Sequence, residues 1–488
     1  MHMNLRSLFQ ERCANLFRAA RSLSVTLPLA LSLISQSQAA EDWPGEIAVP
    51  PPIPQATPAE RSRHLAEQER YITPDRYNLQ QYPLVPRHEA HWRRTLWATA
   101  LREPDSPELV TAFETILPLS FVTSLNETES RILETTLQVS YQYYGRSETW
   151  RERLTPLYQD MVTWSPHPRW VAMALSALSE TTPALSVDRR QAWIDLAESR
   201  LPEFKIGDAT DRLLLELTLR HLRESSQPLP PLEDWAQWQI AAGEPQLFVF
   251  CEPERSQLCY TLLQDGQGRW LPDRQNPSQP WSVPLSGRSL HGLPWYLSRG
   301  ETPQGVYRIE GFIPQPDTDF FYAYGFFPLV NLYVPHEAGV DHFHPEKPGT
   351  ITALTDYQTL LPPRWRSRLG IQESYWAGQL GRGLFRIHGT GEAPDFFVNN
   401  DRFPDLAGWN PAIGCLSALE QYDDQGNLLR ADMPAILEAL QWAQSSPDSN
   451  RITGYVIVLN VDDPKAIVQT FAQGKAHQAG NREEQAQP

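Results

Sequence analysis

A histidine and a cysteine with the makings of a base and a nucleophile stand in the C-terminal half of this chain. Phe385-Arg386-Ile387-His388-Gly389-Thr390 is followed by Trp409-Asn410-Pro411-Ala412-Ile413-Gly414-Cys415, which puts Cys415 27 positions after His388. A thiol attacks as the thiolate and is mostly protonated at neutral pH, so it needs an imidazole to take its proton or lower its pKa. A third group should orient the ring. The run from Leu384 to Ile387 reads as a buried strand that delivers His388 at its end. Gly414 lets another backbone approach Cys415 closely, and the amides around Cys415 can face a developing oxyanion. The pairing predicts an activated thiol with a depressed pKa.

These residues also carry a resemblance. His388-Gly389-Thr390 and Gly414-Cys415, with Glu301-Thr302-Pro303-Gln304-Gly305-Val306-Tyr307 upstream, resemble the L,D-transpeptidase (YkuD-type) catalytic domain of bacterial cell-wall enzymes. The order of elements agrees. A hairpin at Leu247 to Leu263 precedes Leu285-Ser286-Gly287-Arg288-Ser289, then come the Thr-Pro-x-Gly turn, His-Gly-Thr and Gly-Cys, within residues 245 to 460. The resemblance implies that Cys415 is the nucleophile and His388 the general base, with a backbone carbonyl at or near Gly389 and Thr390 holding the imidazole. It further implies oxyanion-binding amides near Gly414, a thioester formed on a peptidoglycan stem peptide, and no cofactor.

The departures narrow the reading. The common family form is Ser/Thr-His-Gly-Cys with Arg or Asn two residues later, whereas this chain has Ala412-Ile413-Gly414-Cys415-Leu416-Ser417. Ile413 in place of histidine removes a polar donor and implies a drier pocket. Some relatives that read Ser-x-Gly-Cys cleave peptide attachments rather than form cross-links. The long interval between His388 and Cys415 makes Asp395 to Trp409 an inserted loop over the site. The expectation is an exported, cysteine-dependent L,D-transpeptidase-like acyltransferase. Its alternatives are a hydrolase or amidase of the same fold, and a catalytically inactive wall-binding scaffold.

The elements that must position these residues occupy a long chain. Its 488 residues predict two or three domains, and 41% hydrophobic residues is a globular composition. A formal charge of −16 argues against a nucleic-acid footprint, which needs a basic patch to displace counterions. Lys205, Lys347, Lys465 and Lys475 are the lysines, none with a serine three residues before it, so the Ser-x-x-Lys motif of penicillin-binding proteins is absent.

Within this acidic chain, Arg364, Arg366, Arg368, Arg382 and Arg386 concentrate positive charge. Stem peptides carry several carboxylates, so Arg382 and Arg386 are candidate substrate contacts, with a solvated face as the alternative. Tyr375 and Trp376 are candidate lid aromatics, or core. His342 and His344, with His336 nearby, put two imidazoles on one strand face, but no third ligand is spaced to complete a metal site.

Arg6, Arg12, Arg18 and Arg21 precede an apolar run from Leu23 to Ile34 and then Ser37-Gln38-Ala39-Ala40, the pattern of a secretory signal peptide over residues 1–39. The run is too short and too interrupted to span a membrane, so no transmembrane segment is expected in the mature, periplasmic or envelope protein. Cys251 and Cys259 flank a turn centred near Arg255 and face each other across a hairpin, which allows a disulfide or two buried thiols. Cys415 is then the odd thiol.

The fold class read from the pattern is α+β and multidomain. Residues 40–60, rich in proline, read as a linker, 61–235 as an all-α domain, 244–472 as a mostly antiparallel β catalytic domain, and 473–488 as a polar tail. Asn126-x-x-Glu129 has the form of a capping box, with Leu133, Leu137, Tyr141 and Tyr144 on one face of the helix it opens. The helical half is assigned no chemistry; it is a scaffold or a docking surface for a protein partner.

Overall fold

Side chains that cap their own helices set the boundaries of the N-terminal half. Glu129 N–H donates to Asn126 Oδ1 and Asn126 N–H donates to Glu129 Oε2, both at 3.0 Å, closing the reciprocal box that starts the helix at Glu127–Arg146. The helices are α1 (Pro58–Glu67), α2 (Glu89–Arg102), α3 (Pro107–Ile116), α4 (Glu127–Arg146), α5 (Glu148–Trp164), α6 (Pro168–Leu178), α7 (Val187–Arg200) and α8 (Ala209–Glu224). Leu133, Leu137, Tyr141 and Tyr144 are all buried on α4, which packs against α2 and α5. The computed structural model describes residues 47–179, 187–224, 229–314, 325–390, 396–397, 400–444 and 451–470. The expected signal segment at 1–39 and tail at 473–488 lie outside the described residues, and no described helix is long and apolar enough to cross a membrane.

Alternating apolar residues build the second half. Its strands are β1 (Gln246–Cys251), β2 (Cys259–Gln264), β3 (Pro284–Ser286), β4 (Gly305–Glu310), β5 (Phe312–Ile313), β6 (Leu329–Leu332), β7 (Phe385–Gly389), β8 (Leu416–Ala418), β9 (Glu420–Tyr422), β10 (Leu428–Ala431) and β11 (Thr453–Asn460). Nine of them form one mixed sheet in the order β4-β11-β1-β2-β3-β8-β7-β6-β5, with β1–β11 and β7–β8 parallel and the other pairs antiparallel. The first and last strands of that order are consecutive in the chain, separated only by Gly311 at φ 81°. Arg308 and Tyr333 exchange backbone hydrogen bonds of 3.0 and 2.9 Å beside this bend, so the sheet curls into a nearly closed barrel.

The two faces of the sheet differ. Leu247, Val249, Tyr307, Ile309, Val330, Leu332, Phe385, Ile387, Leu416 and Val458 pack inward with Ile436, Leu437 and Leu440 of a helix at Met433–Trp442. On the outer face, Phe248, Phe250, Ile457 and Leu459 of β1 and β11 bury against Trp235, Tyr357 and Trp365. Over β3, β8, β7 and β6 the same outer face carries Ser286, Ser417, Arg386, His388 and Asn331 instead. A buried, polar sheet face of this kind is where chemistry is to be sought.

Two expectations change. The proline-rich stretch is not a free tether over its described part: Ile53 N–H donates to Gly426 O at 2.8 Å, Pro54–Ala56 makes a 3-10 turn, and Ala56 is buried. Proline favoured the extended entry, but the apolar residues between the prolines found the β9–β10 hairpin to pack on. Leu384 is not part of the strand before His388; it has φ 60° and is 58% exposed, because the chain arrives there from the turn at Gly381 to Gly383.

The helical layer and the barrel share one core. Leu290, Leu293, Trp295, Tyr296 and Leu297, from the segment between β3 and β4, are buried in the same cluster as Leu133, Leu137 and Trp170. Side chains of this size stabilise by roughly 1.5–3 kcal/mol each when fully buried.

Candidate active site

His388 lies at the end of β7, where strand alternation turns it to the outer face, opposite in direction to Ile387. Its Nδ1 is 2.8 Å from the carbonyl oxygen of Gly389. A carbonyl only accepts, so Nδ1 carries the proton and Nε2 keeps its lone pair: the ring is held as a base by the residue that follows it. His388 is 2% exposed, and burial pushes its pKa down to about 4. The ring is neutral at pH 7.

Cys415 immediately precedes β8. The parallel register pairs Ile387 with Leu416 and His388 with Ser417, which brings Cys415, one residue before Leu416, to the start of β7, where the Arg386 amide reaches its sulfur. Cys415 therefore stands two positions before Ser417, the register partner of His388 on the neighbouring strand. The thiol is 6% exposed and lies 3.8 Å from Leu384 O. Burial pushes its pKa up, opposed by the guanidinium and amide of Arg386 and then by the guanidinium of Arg382. The expected depressed thiol pKa is thus reversed, because desolvation outweighs both arginines. With thiol and imidazole both neutral, proton transfer during attack is favoured over a standing ion pair.

The Thr-Pro-x-Gly turn supports the nucleophile from behind. Thr302 Oγ1 donates to Gly414 O at 2.8 Å and approaches Cys415 O at 3.3 Å. The carbonyl and N–H of one trans peptide point in opposite directions, so a Gly414 carbonyl held on Thr302 turns the Cys415 amide the other way. That amide is the candidate oxyanion donor. Gly414 has φ 125°, and a Cβ there would lie 2.7 Å from a terminal nitrogen of Arg382 and 2.9 Å from Phe385 Cε1. No other residue fits.

Arg382 donates to Gly300 O at 2.8 Å, to Glu301 O at 3.2 Å and to Trp295 O, and stacks on Phe385 with 5.0 Å to the ring centroid. Burial lowers its pKa to about 10, which leaves it charged. Of the five clustered arginines, Arg382 and Arg386 face the thiol. Arg364 pairs with Asp234, Arg366 donates to Leu361 O at 3.1 Å, and Arg368 lines a separate cavity.

Other expected site residues have structural partners. Thr390 Oγ1 donates to Glu420 O at 2.6 Å and accepts from Glu420 N–H at 3.0 Å, joining the ends of two strands rather than touching the imidazole. Tyr375 is buried in the aromatic cluster and its hydroxyl donates to Thr352 O at 2.8 Å. Trp376 Nε1 donates to Gln372 Oε1 at 3.3 Å. Cys251 and Cys259 are disulfide-bonded with 4.2 Å between their Cα atoms. Ile413 is 42% exposed, so it lies at the surface and does not line a dry pocket. His344 is occupied by Thr359 and by Glu346 N–H, and among the described residues no group of three His, Cys, Asp or Glu is arranged to hold a metal.

Part of the loop expected over the site is described, and it is tied to the helical layer. Arg402 donates to both carboxylate oxygens of Glu103 at 3.1 and 3.0 Å, and Phe397, Phe403 and Leu406 form a small apolar cluster. Nothing in the local spacing signals this contact, which joins residues 299 positions apart. A cavity of about 1180 Å³ opens where the barrel meets the helical layer, lined by Arg255, Glu301, Thr302, Gln304 and Glu373 among others, but not by Cys415 or His388. Size and chemistry point to different places, and the paired side chains are the better guide, since volume alone performs no step. The chain matches no family model, no curated protein and no solved structure.

Proposed function

We propose that this protein is an exported, cysteine-dependent acyltransferase of the L,D-transpeptidase type that acts on peptidoglycan stem peptides. The observation that carries the reading is the held tautomer of His388 on β7, next to the strand that Cys415 leads into, with the Gly414 carbonyl fastened to Thr302. Ring orientation by the backbone after His-Gly is what the resemblance to that family asks for. The Cys251–Cys259 disulfide supports an oxidising compartment.

In the proposed reaction His388 Nε2 takes the thiol proton as Cys415 Sγ attacks the carbonyl of the third residue of a tetrapeptide stem. The Cys415 amide receives the oxyanion. Collapse breaks the peptide bond, the imidazolium returns its proton to the leaving amine of the terminal D-alanine, and a thioester remains. An acceptor amine, deprotonated by the same nitrogen, attacks the thioester and releases the thiol. Arg386 and Arg382 hold positive charge beside the sulfur and suit a substrate with carboxylates.

A tetrapeptide donor incubated with mature protein, with and without an amine acceptor, tests this by mass spectrometry. Loss of D-alanine with transfer to the amine is expected. Rapid conversion to tripeptide that ignores the acceptor would replace the transferase by a hydrolase of the same fold, and an intact donor would favour the inactive scaffold.

A further inference from the structure

The β1–β2 hairpin carries a buried arginine that the proposed reaction does not use. Arg255 sits at its turn with φ 51° and is 2% exposed. One terminal nitrogen donates to Glu252 O at 2.6 Å and to Asn460 Oδ1 at 2.5 Å; the other donates to Thr302 O at 3.1 Å. Thr302 is the residue whose hydroxyl holds the Gly414 and Cys415 carbonyls. Behind Arg255, Cys251 and Cys259 are disulfide-bonded, and Cys251 also pairs with Asn460 across β1–β11. Gly287 leaves the room: a Cβ there would be 3.2 Å from both Cys259 Sγ and Arg255 Cδ. The disulfide closes the hairpin whose turn carries Arg255, and the guanidinium bridges three oxygens, one of them on Thr302, whose hydroxyl holds the peptide next to the nucleophile.

We propose that the Cys251–Cys259 disulfide and Arg255 form a clamp that fixes Thr302, and through it the direction of the Cys415 amide, which makes Arg255 a positioning residue. The inference rests on the acyltransfer reading for its effect on turnover, but the clamp itself has a readout that needs no substrate. Burying a guanidinium costs desolvation that is offset only when its hydrogen bonds are made. A fork that bridges three acceptors cannot be replaced by a lysine, which brings the charge without the geometry.

The test compares wild type, Arg255→Met, Arg255→Lys, Cys251→Ser/Cys259→Ser, and Leu133→Ala as a destabilised control in the helical core. For each variant three things are measured: kcat and KM on a tetrapeptide donor, the rate of iodoacetamide alkylation of Cys415, and thermal stability. Both Arg255 variants and the double serine variant are expected to lose about tenfold in kcat with KM unchanged, as when an oxyanion donor is misaimed. Their Cys415 should alkylate faster, because the thiol is no longer held against Leu384 O and the Arg386 amide, while Leu133→Ala changes neither. Wild-type kinetics in the Arg255 or double serine variants, rescue by lysine, or the same changes in Leu133→Ala would overturn the clamp. If wild type turns over no donor, the acyltransfer reading fails and the alkylation rates alone decide the clamp.

Discussion

At the scale of single residues, the thiol and the imidazole are both neutral at rest, and this sets how the site should respond to pH. Burial raises the Cys415 pKa and lowers that of His388 to about 4. Alkylation of Cys415 should therefore keep rising with pH beyond the ordinary thiol range, and a plateau already reached at pH 7 would show a preformed thiolate instead. Turnover should fall with acid only as His388 protonates near 4. Thr302→Val removes the hydroxyl shared by two buried carbonyls, a loss of about 1–3 kcal/mol in stability, and should lower kcat more than it raises KM. Differential scanning calorimetry and steady-state kinetics on that variant check both effects. Gly414 was legible as a residue needing close approach, and the 2.7 Å to Arg382 gives the reason. Arg255 was legible only as the centre of a turn, because its partners Thr302 and Asn460 lie 47 and 205 positions away.

At the scale of elements, period and caps were read well, and contacts between elements were not. The capping box at Asn126, the helix at Met433 and the strand delivering His388 follow from local spacing. The anchoring of Ile53 on Gly426, the ion pair of Arg402 with Glu103, and the burial of the segment from Leu290 to Leu297 under the helices depend on distant chain, which spacing does not encode. That last segment bears on how the halves can be separated. A fragment of residues 244–472 would expose Leu290, Leu293, Trp295, Tyr296 and Leu297, a patch of the kind that drives aggregation. Expressed alone it should be insoluble or bind hydrophobic dyes, whereas the chain with its helical layer should not. A soluble, dye-negative fragment that melts cooperatively would show that the barrel stands by itself.

At the scale of the whole molecule, buried titratable groups of two kinds bound the stable pH range. His388 and His221 are lowered to about 4 and His291 to about 3, all chiefly by burial. Unfolded histidines take up protons from about 6.5 downward while these resist, so they cost stability as pH falls from there to about 4. Glu373 and Glu420 are raised to about 8 and about 7, again chiefly by burial. Their unfolded forms ionise above about 4.5, so they cost stability as pH rises from there towards 7 and 8. The two sets oppose each other between about 4.5 and 6.5 and act alone outside it. Thermal melting should peak in that interval and decline towards pH 8; a midpoint that climbs steadily to pH 8 would contradict the burial of the two carboxyl groups. On the proposed reading one event defines the site, the transfer of an acyl group to Cys415. Intact-protein mass spectrometry after mixing with a tetrapeptide donor observes that event directly. The expected result is an adduct equal to the donor less D-alanine, localised to Cys415, lost in Cys415→Ala and discharged by an amine. No adduct and no released D-alanine under conditions where the protein is folded would contradict it.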